Sequence, residues 1–287
     1  MKKRLLITLL SVIFYCSGFA QELTVGTYNI RLYSRSDSLN GNAWEKRRQA
    51  VVDLIKFNDF DIFGSQEVVH NQLEDMLKGL PEYAYIGVGR TDGKTAGEYS
   101  PVFYKKDKFK LLNSGYFWLS ETPDKAGSFG WDAACERICT YGYFQEIETG
   151  FKFWFFTTHF DHIGVVARRE SAKMILARIK DIGKNEPVIV TGDFNVNQFD
   201  ESYLLLANSG VVSDSYEKAS VRMAPNGTYN DWTVNQWNKE RIDHIFISKD
   251  FRAERYAILT NLYWAENDDV ARLPSDHFPV MAVLKYQ

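Results

Sequence analysis

Carboxylates, carboxamides and imidazoles close several apolar runs of this 287-residue chain. Asn29 follows Val25-Gly26-Thr27-Tyr28, and Gln66-Glu67 follow Asp61-Ile62-Phe63-Gly64-Ser65. His159 and Asp161 close the run from Phe153 to Thr158; Asp193 and Asn195 follow Val188-Ile189-Val190-Thr191-Gly192; Asp276-His277 precede Phe278-Pro279-Val280. Polar groups at strand ends on a buried scaffold are where functional sites are built. Each alone has an ordinary structural explanation. Asn29 can cap a turn, Glu67 suits the start of a helix, and Gly192-Asp193 suits a turn. As a set they supply oxygen and nitrogen ligands and no cysteine cluster. Oxygen-dominated ligand sets suit a hard divalent cation, Mg²⁺ or Mn²⁺.

The elements that must carry these residues are mostly strands. Runs rich in β-branched and aromatic residues, bounded by Gly, Asp, Asn or Pro, predict strands at 23–31, 60–65, 83–88, 100–105, 139–148, 151–159, 188–191, 241–247 and 278–284. Helical spacing of apolar residues predicts helices over 44–57, 71–80 and 166–182, each covering a sheet, with its charges on a solvated face. Strands joined by both hairpins and helices imply mixed sheets in an α/β or α+β domain. No repeat or linker interrupts the pattern, so one domain is expected over residues 21–287.

Composition agrees. At 45% hydrophobic and 25% charged, the chain is neither disordered, collagenous nor a coiled coil. Its 15% aromatic content points to a β-rich interior or an aromatic-lined cleft. Residues 1–20 read as a secretory signal peptide: Lys2-Lys3-Arg4, an apolar run from Leu5 to Tyr15, then Gly18-Phe19-Ala20 before a cut. An uncleaved anchor and a lipoprotein at Cys16 are the alternatives. The expected location is outside the cell or in the periplasm. Setting residues 1–20 aside removes three basic and no acidic residues, which moves the formal charge from −3 to −6. That argues against backbone-led binding of long nucleic acids, which needs a basic face. Cys135 and Cys139 then remain, and the sequence leaves open whether they pair.

The motifs Tyr-Asn-Ile-Arg (28–31), Gln-Glu (66–67), Thr-His-Phe-Asp-His (158–162), Gly-Asp-Phe-Asn (192–195), Arg-Ile-Asp-His-Ile-Phe (241–246) and Ser-Asp-His-Phe-Pro-Val (275–280) stand in this order. Together they resemble the endonuclease/exonuclease/phosphatase, or deoxyribonuclease I-like, superfamily of metal-dependent phosphoesterases. The resemblance runs over nearly all of residues 21–287. It implies a four-layer sandwich of two packed mixed β-sheets flanked by helices, with the site at the sheet edges.

It also implies roles. Glu67 resembles the main metal ligand, with Asn29 beside it and Asp276 contributing. Asp193 resembles the residue that orients or deprotonates the attacking water, and Asn195 a donor to phosphate oxygens. His277 resembles the histidine at the scissile phosphate and Asp243 its carboxylate partner. His159 resembles the second active-site histidine, and Glu98 the carboxylate that pairs with it. Arg137 resembles a phosphate-binding arginine; for Glu98 and Arg137 an ordinary surface ion pair is the alternative. The implied chemistry is in-line attack of water on a phosphoester. Each imidazole is held cationic by its carboxylate, and the charged transition state is stabilised by His277, His159 and Asn195.

Competing readings are weaker. A metallo-β-lactamase-like motif around His159 and His162 lacks its first histidine, because position 157 is Thr157, and the chain has five histidines in all. No Gly-x-Ser-x-Gly elbow supports a serine nucleophile. His70 is expected at the surface and His244 in the core, and His162 is assigned no role. A secreted binding module that kept the fold but lost turnover is the alternative of another class. Among substrates, a small or short phosphodiester, or a phosphomonoester, comes first and a secreted nuclease acting on DNA or RNA second. The aromatic stretch 116–132, with Trp232 and Trp237, either lines a cleft or packs as a loop. No stretch after residue 20 is long and apolar enough to predict membrane insertion.

Overall fold

Alternation along strands decides the layering. Leu23, Val25, Ile62, Phe153, Phe155, Ile189, Ile245, Ile247, Ala282 and Leu284 share one buried apolar layer. Their neighbours in sequence, such as Phe63, Phe156, Val190 and Phe246, fall into two other apolar layers. Side chains of period two on strands buried on both faces produce this result.

The computed structural model describes residues 21–183, 186–235, 237–264 and 269–286. The expected signal segment, 1–20, lies outside the described residues. In chain order the elements begin β1 (Gln21–Asn29), α1 (Arg35–Leu39), α2 (Trp44–Phe57), β2 (Ile62–Gln66), α3 (His70–Gly79), β3 (Tyr83–Ile86) and β4 (Val102–Lys105). There follow β5 (Phe109–Trp118), β6 (Ile138–Glu146), β7 (Lys152–His159), α4 (Val165–Gly183), β8 (Val188–Asp193), α5 (Glu201–Ala207), β9 (Ser213–Asp214) and α6 (Ser215–Lys218). The chain continues through β10 (Val221–Met223), β11 (Asp243–Ile247), β12 (Arg252–Ile258), β13 (Tyr263–Trp264), β14 (Ala271–Arg272) and β15 (Val280–Tyr286).

One sheet has the order β10-β12-β15-β1-β2-β4-β3 and the other β5-β6-β7-β8-β11-β9. Both are mixed: β1 pairs parallel with β2 and antiparallel with β15, and β8 pairs parallel with β7 and antiparallel with β11. The sheets pack face to face on the shared layer. Helices α2 and α3 cover the first sheet through Val51, Ile55, Leu73 and Met76 against Tyr28, Phe63 and Phe103. Helices α4 and α5 cover the second through Ala172, Ile175, Ile179 and Leu206 against Trp154, Phe156 and Val190. This is the expected four-layer sandwich.

Two departures have physical causes, and one question left open by the sequence is answered. The edge strand β5 exposes Lys110, Asn113 and Ser114, so its sequence lacks the apolar signature of a strand. Arg47, expected on a solvated helix face, is fully buried. Cys135 and Cys139 are both free, and Cys139 packs into the layer beneath α4. His244 is fully buried, as expected, and His70 lies at the half-exposed start of α3.

Candidate active site

The inward-facing series along the central strands change character at the same end of the sandwich. β1 reads Leu23, Val25, Thr27, Asn29; β7 reads Phe153, Phe155, Thr157, His159; β8 reads Ile189, Thr191, Asp193. Antiparallel β11 reaches the same end with Asp243, which lies opposite Asp193 in register. Between the apolar layer and these groups sits a neutral polar layer, in which Gln66 Nε2 donates to Thr157 Oγ1 at 3.1 Å and to Thr27 Oγ1 at 3.2 Å. Gly64 lets the sheets meet there: a Cβ on it would stand 2.1 Å from Thr157 Oγ1 and 2.4 Å from Thr191 Oγ1.

Asn29 bridges the sheets. Its Nδ2 donates to Glu67 Oε1 at 3.1 Å and to Asp193 Oδ2 at 2.9 Å, while its Oδ1 accepts the Arg31 N–H at 3.0 Å. The face it turns to the carboxylates is therefore the amide nitrogen, which cannot ligate a cation. Asn29 spaces Glu67 and Asp193 rather than adding an oxygen between them. Glu67 has φ +59°, in the left-handed region that non-glycine residues rarely adopt, and so do Arg31 and Asn195. Arg31 Nη1 lies 3.9 Å from Glu67 Oε2 and 3.4 Å from Asp276 Oδ2. These two carboxylates thus face a common positive charge. Burial raises the Asp276 carboxyl to about 6, and the Glu67 charge adds to that shift. For Glu67 burial acts the same way, but His277 and the Asn29 hydrogen bond outweigh it and hold the carboxyl low.

Buried Arg47 sets this end in place. Its guanidinium donates to the carbonyls of Ile30, Arg31 (2.7 Å), Asn42 (3.1 Å) and Pro274 (3.2 Å), between the rings of Trp44 and Trp232. The chain leaving β1 is thereby tied to the segment that carries Ser275-Asp276.

The other half of the site holds the two histidines. His277 Nδ1 lies 2.8 Å from Asp243 Oδ2, the expected pair. Burial opposes protonation of His277, but Asp243 and then Asp193 outweigh it and hold the imidazole well above its usual pKa. Asp193 Oδ2 stands 3.4 Å from His159 Nε2 and 3.7 Å from His277 Nε2. Burial, followed by the charge of Asp243, pushes the Asp193 carboxyl up to about 7.

His159 corrects the expectation of a second cationic imidazole. Burial, with Arg137 and Arg90 beside it, holds its pKa well below the usual value. Glu98 Oε2 is 3.9 Å from His159 Nδ1, beyond hydrogen-bond reach, because Glu98 is paired with Arg90 at 2.6 Å. Asn195 is also corrected. Its amide nitrogen donates to His159 Nε2 and to Phe160 O, both at 3.0 Å, so both N–H groups are taken and neither is left for a phosphate oxygen. Asn195 positions His159 as the Nδ1–H tautomer.

Arg137 is not a surface ion pair. It is buried, lies 3.4 Å from Asp161 Oδ2, and donates from Nη2 to His162 Nδ1 at 3.0 Å, while its Nη1 has no partner. The sequence reading missed Arg31, Arg90, His162 and Tyr229, all of which line the pocket. Arg31 and His162 belong to the motifs Tyr-Asn-Ile-Arg and Thr-His-Phe-Asp-His; Arg90 and Tyr229 come from loops without a local signal. The aromatic stretch 116–132 does not line this pocket. Trp118 instead donates its indole N–H to Arg90 O, Trp237 packs on Phe278, and Tyr229 stacks edge-on to His277.

Glu67, Glu98, Arg137, His159, Asp193, Asn195, Asp276 and His277 line one pocket of about 420 Å³, with Asn29 and Asp243 behind them. Two packed mixed sheets that deliver buried carboxylates and a histidine–carboxylate pair to one pocket define the deoxyribonuclease I-like class of hydrolase. A model of the endonuclease/exonuclease/phosphatase family matches residues 26–277, and the chain belongs to that family. Its members are divalent-metal-dependent phosphoester hydrolases.

Among solved structures, an endonuclease/exonuclease/phosphatase family protein from Bacteroides thetaiotaomicron is 48% identical, with TM-score 0.91, covering 93% of this chain and 99% of that one. A mannosyl-6-phosphatase from the same organism is 49% identical, with TM-score 0.89, covering 91% and 99%. Human Nocturnin is 26% identical over 82% of this chain and 56% of its own length. This chain spans between 26% and 62% of the curated relatives it matches.

Proposed function

We propose that this chain is an exported, divalent-metal-dependent phosphoesterase acting on a small phosphomonoester, a sugar phosphate foremost. The observation that carries the reading is the placement of Asp193 Oδ2 within 4 Å of both histidines, opposite the Glu67–Asp276 pair. The likeness to a mannosyl-6-phosphatase moves the favoured substrate from diester to monoester.

The donor set fits a hard cation. Glu67 and Asp276 already share a positive neighbour in Arg31, and ligand atoms of Glu67, His159 and Asp193 lie within 4.8 Å of one another. Mg²⁺ or Mn²⁺ would be held by Glu67 with Asp276, and when bound would offset charge on the phosphate oxygens. Asp193, with a carboxyl near neutral pKa, accepts the proton of the attacking water. His277, cationic through Asp243, donates to the phosphate or the leaving oxygen. The unpartnered N–H of Arg137 meets a further phosphate oxygen. The −6 charge of residues 21–287 and the size of the pocket favour a small substrate over long nucleic acid. Among the described residues no helix is long and apolar enough to cross a membrane.

The test is hydrolysis by residues 21–287 with Mn²⁺ or Mg²⁺. The substrates are p-nitrophenyl phosphate, bis-p-nitrophenyl phosphate, mannose 6-phosphate, single-stranded DNA and RNA. Monoester turnover that vanishes with EDTA and in Glu67→Ala supports the reading. Preference for the diester or a polynucleotide redirects the substrate, and metal binding without turnover of any of them favours a binding module.

A further inference from the structure

Asp161 organises the mouth of the pocket. Its Oδ1 accepts the N–H groups of Ile163 and Gly164 at 2.9 and 2.7 Å, and its Oδ2 accepts that of Ala134 at 3.1 Å and faces Arg137. This fixes the backbone around His162, which lies between Asp161 and the Ile163 N–H that Asp161 binds, and His162 meets Arg137. A guanidinium carries no lone pair, so at 3.0 Å Arg137 Nη2 donates and His162 Nδ1 accepts. The ring is then the tautomer with its proton on Nε2.

Depth separates His162 from the groups around Asp193. Asp193, His159, His277 and Arg137 are all at least nine-tenths buried, whereas His162 is exposed and lines the same pocket. A phosphate drawn to the buried groups leaves the rest of its ester nearer the mouth, where a neutral N–H donor suits a hydroxyl.

Resting on the phosphoesterase reading above, we propose that His162 is a substrate-binding residue. It donates from Nε2 to a hydroxyl of the leaving alcohol, and so selects polyhydroxylated phosphoesters over aryl ones.

The test compares kcat/KM for mannose 6-phosphate and p-nitrophenyl phosphate in wild type, His162→Phe and His162→Gln, with Mn²⁺. His162→Phe should lower the mannose 6-phosphate to p-nitrophenyl phosphate ratio about tenfold, the loss expected for one hydrogen bond. His162→Gln should recover most of it, because its amide oxygen can accept from Arg137 while its nitrogen donates outward. Thermal melts confirm that the variants are folded. A ratio within twofold of wild type in His162→Phe overturns the inference. So does wild-type turnover of the aryl ester without any of the sugar phosphate. Wild type that cleaves neither overturns the monoester reading above, and this inference with it.

Discussion

Asp193 meets conflicting demands from its surroundings. It is 1% exposed, it faces the Asp243 carboxylate, and it accepts from Asn29 and from the Asn195 N–H. A carboxyl brought near neutral pKa in this way can hold or release a proton under ordinary conditions, as a general base must. Asp193→Asn keeps the shape and the acceptor for the Asn195 N–H but removes the base. Its kcat should fall by about 10²–10⁴-fold, measured at saturating substrate with the fold checked by circular dichroism. Asp243→Asn acts one bond further out. It removes the charge that holds His277 cationic, so activity should decline at lower pH than in wild type, as the imidazole loses its proton more readily. The pH dependence of kcat in the two proteins checks this. An unchanged alkaline limb would mean that His277 does not work as the cation.

The strands explain why these residues converge and where the sequence stops being readable. Each central strand is an apolar run that turns polar at one end; alternation sends Asn29, His159 and Asp193 to the same face, and the left-handed turn just past β2 adds Glu67. Asn29, Glu67, His159 and Asp193 were therefore legible as strand ends, whereas Asp243, inside the expected strand 241–247, stood out only through the family resemblance. Arg47 was not legible. Its helical spacing reads as a solvated face, and only the fold brings the carbonyls of Ile30, Arg31 and Pro274 around it. His162 and Arg90 were obscured for the same reason, since loop backbone bonds aim them. Element packing also makes Gly64 a sensitive point. Gly64→Ala places a Cβ against Thr157 and Thr191 and should cost about 1–3 kcal/mol in urea unfolding. Adding Thr157→Ala should restore part of that loss, because the two positions touch.

The loop–helix junction offers a pH test at the same scale. Burial opposes ionisation of Asp161, but the N–H groups of Gly164, Ile163 and Ala134 outweigh it and hold its carboxyl well below the usual range. A carboxylate depressed on folding stabilises the protein above its unfolded pKa, about 4, and that contribution is lost as pH falls through the lower folded value. Asp161→Asn should therefore cost about 2 kcal/mol at neutral pH. The gap to wild type should narrow in urea titrations carried below pH 4.

Across the whole molecule, two sheets and their covering helices concentrate Glu67, Asp193, Asp243 and Asp276 at one end, all at least nine-tenths buried. Like charges gathered there destabilise the fold, and Arg31 and His277 offset them only in part. A divalent cation that binds the folded chain alone should then stabilise it by mass action, by about 2.7 kcal/mol at a hundredfold excess over Kd. For a chain of this size that is a rise in Tm of roughly 5–10 °C with Mn²⁺, reversed by EDTA. Glu67→Ala removes a ligand together with a carboxylate that accepts from Asn29 and Leu32 and is held low on folding. It should melt below the metal-free wild type and show no shift with Mn²⁺. Should Mn²⁺ leave the wild-type Tm unmoved, Glu67 and Asp276 would not be cation ligands, and Arg31 would be their permanent counterion.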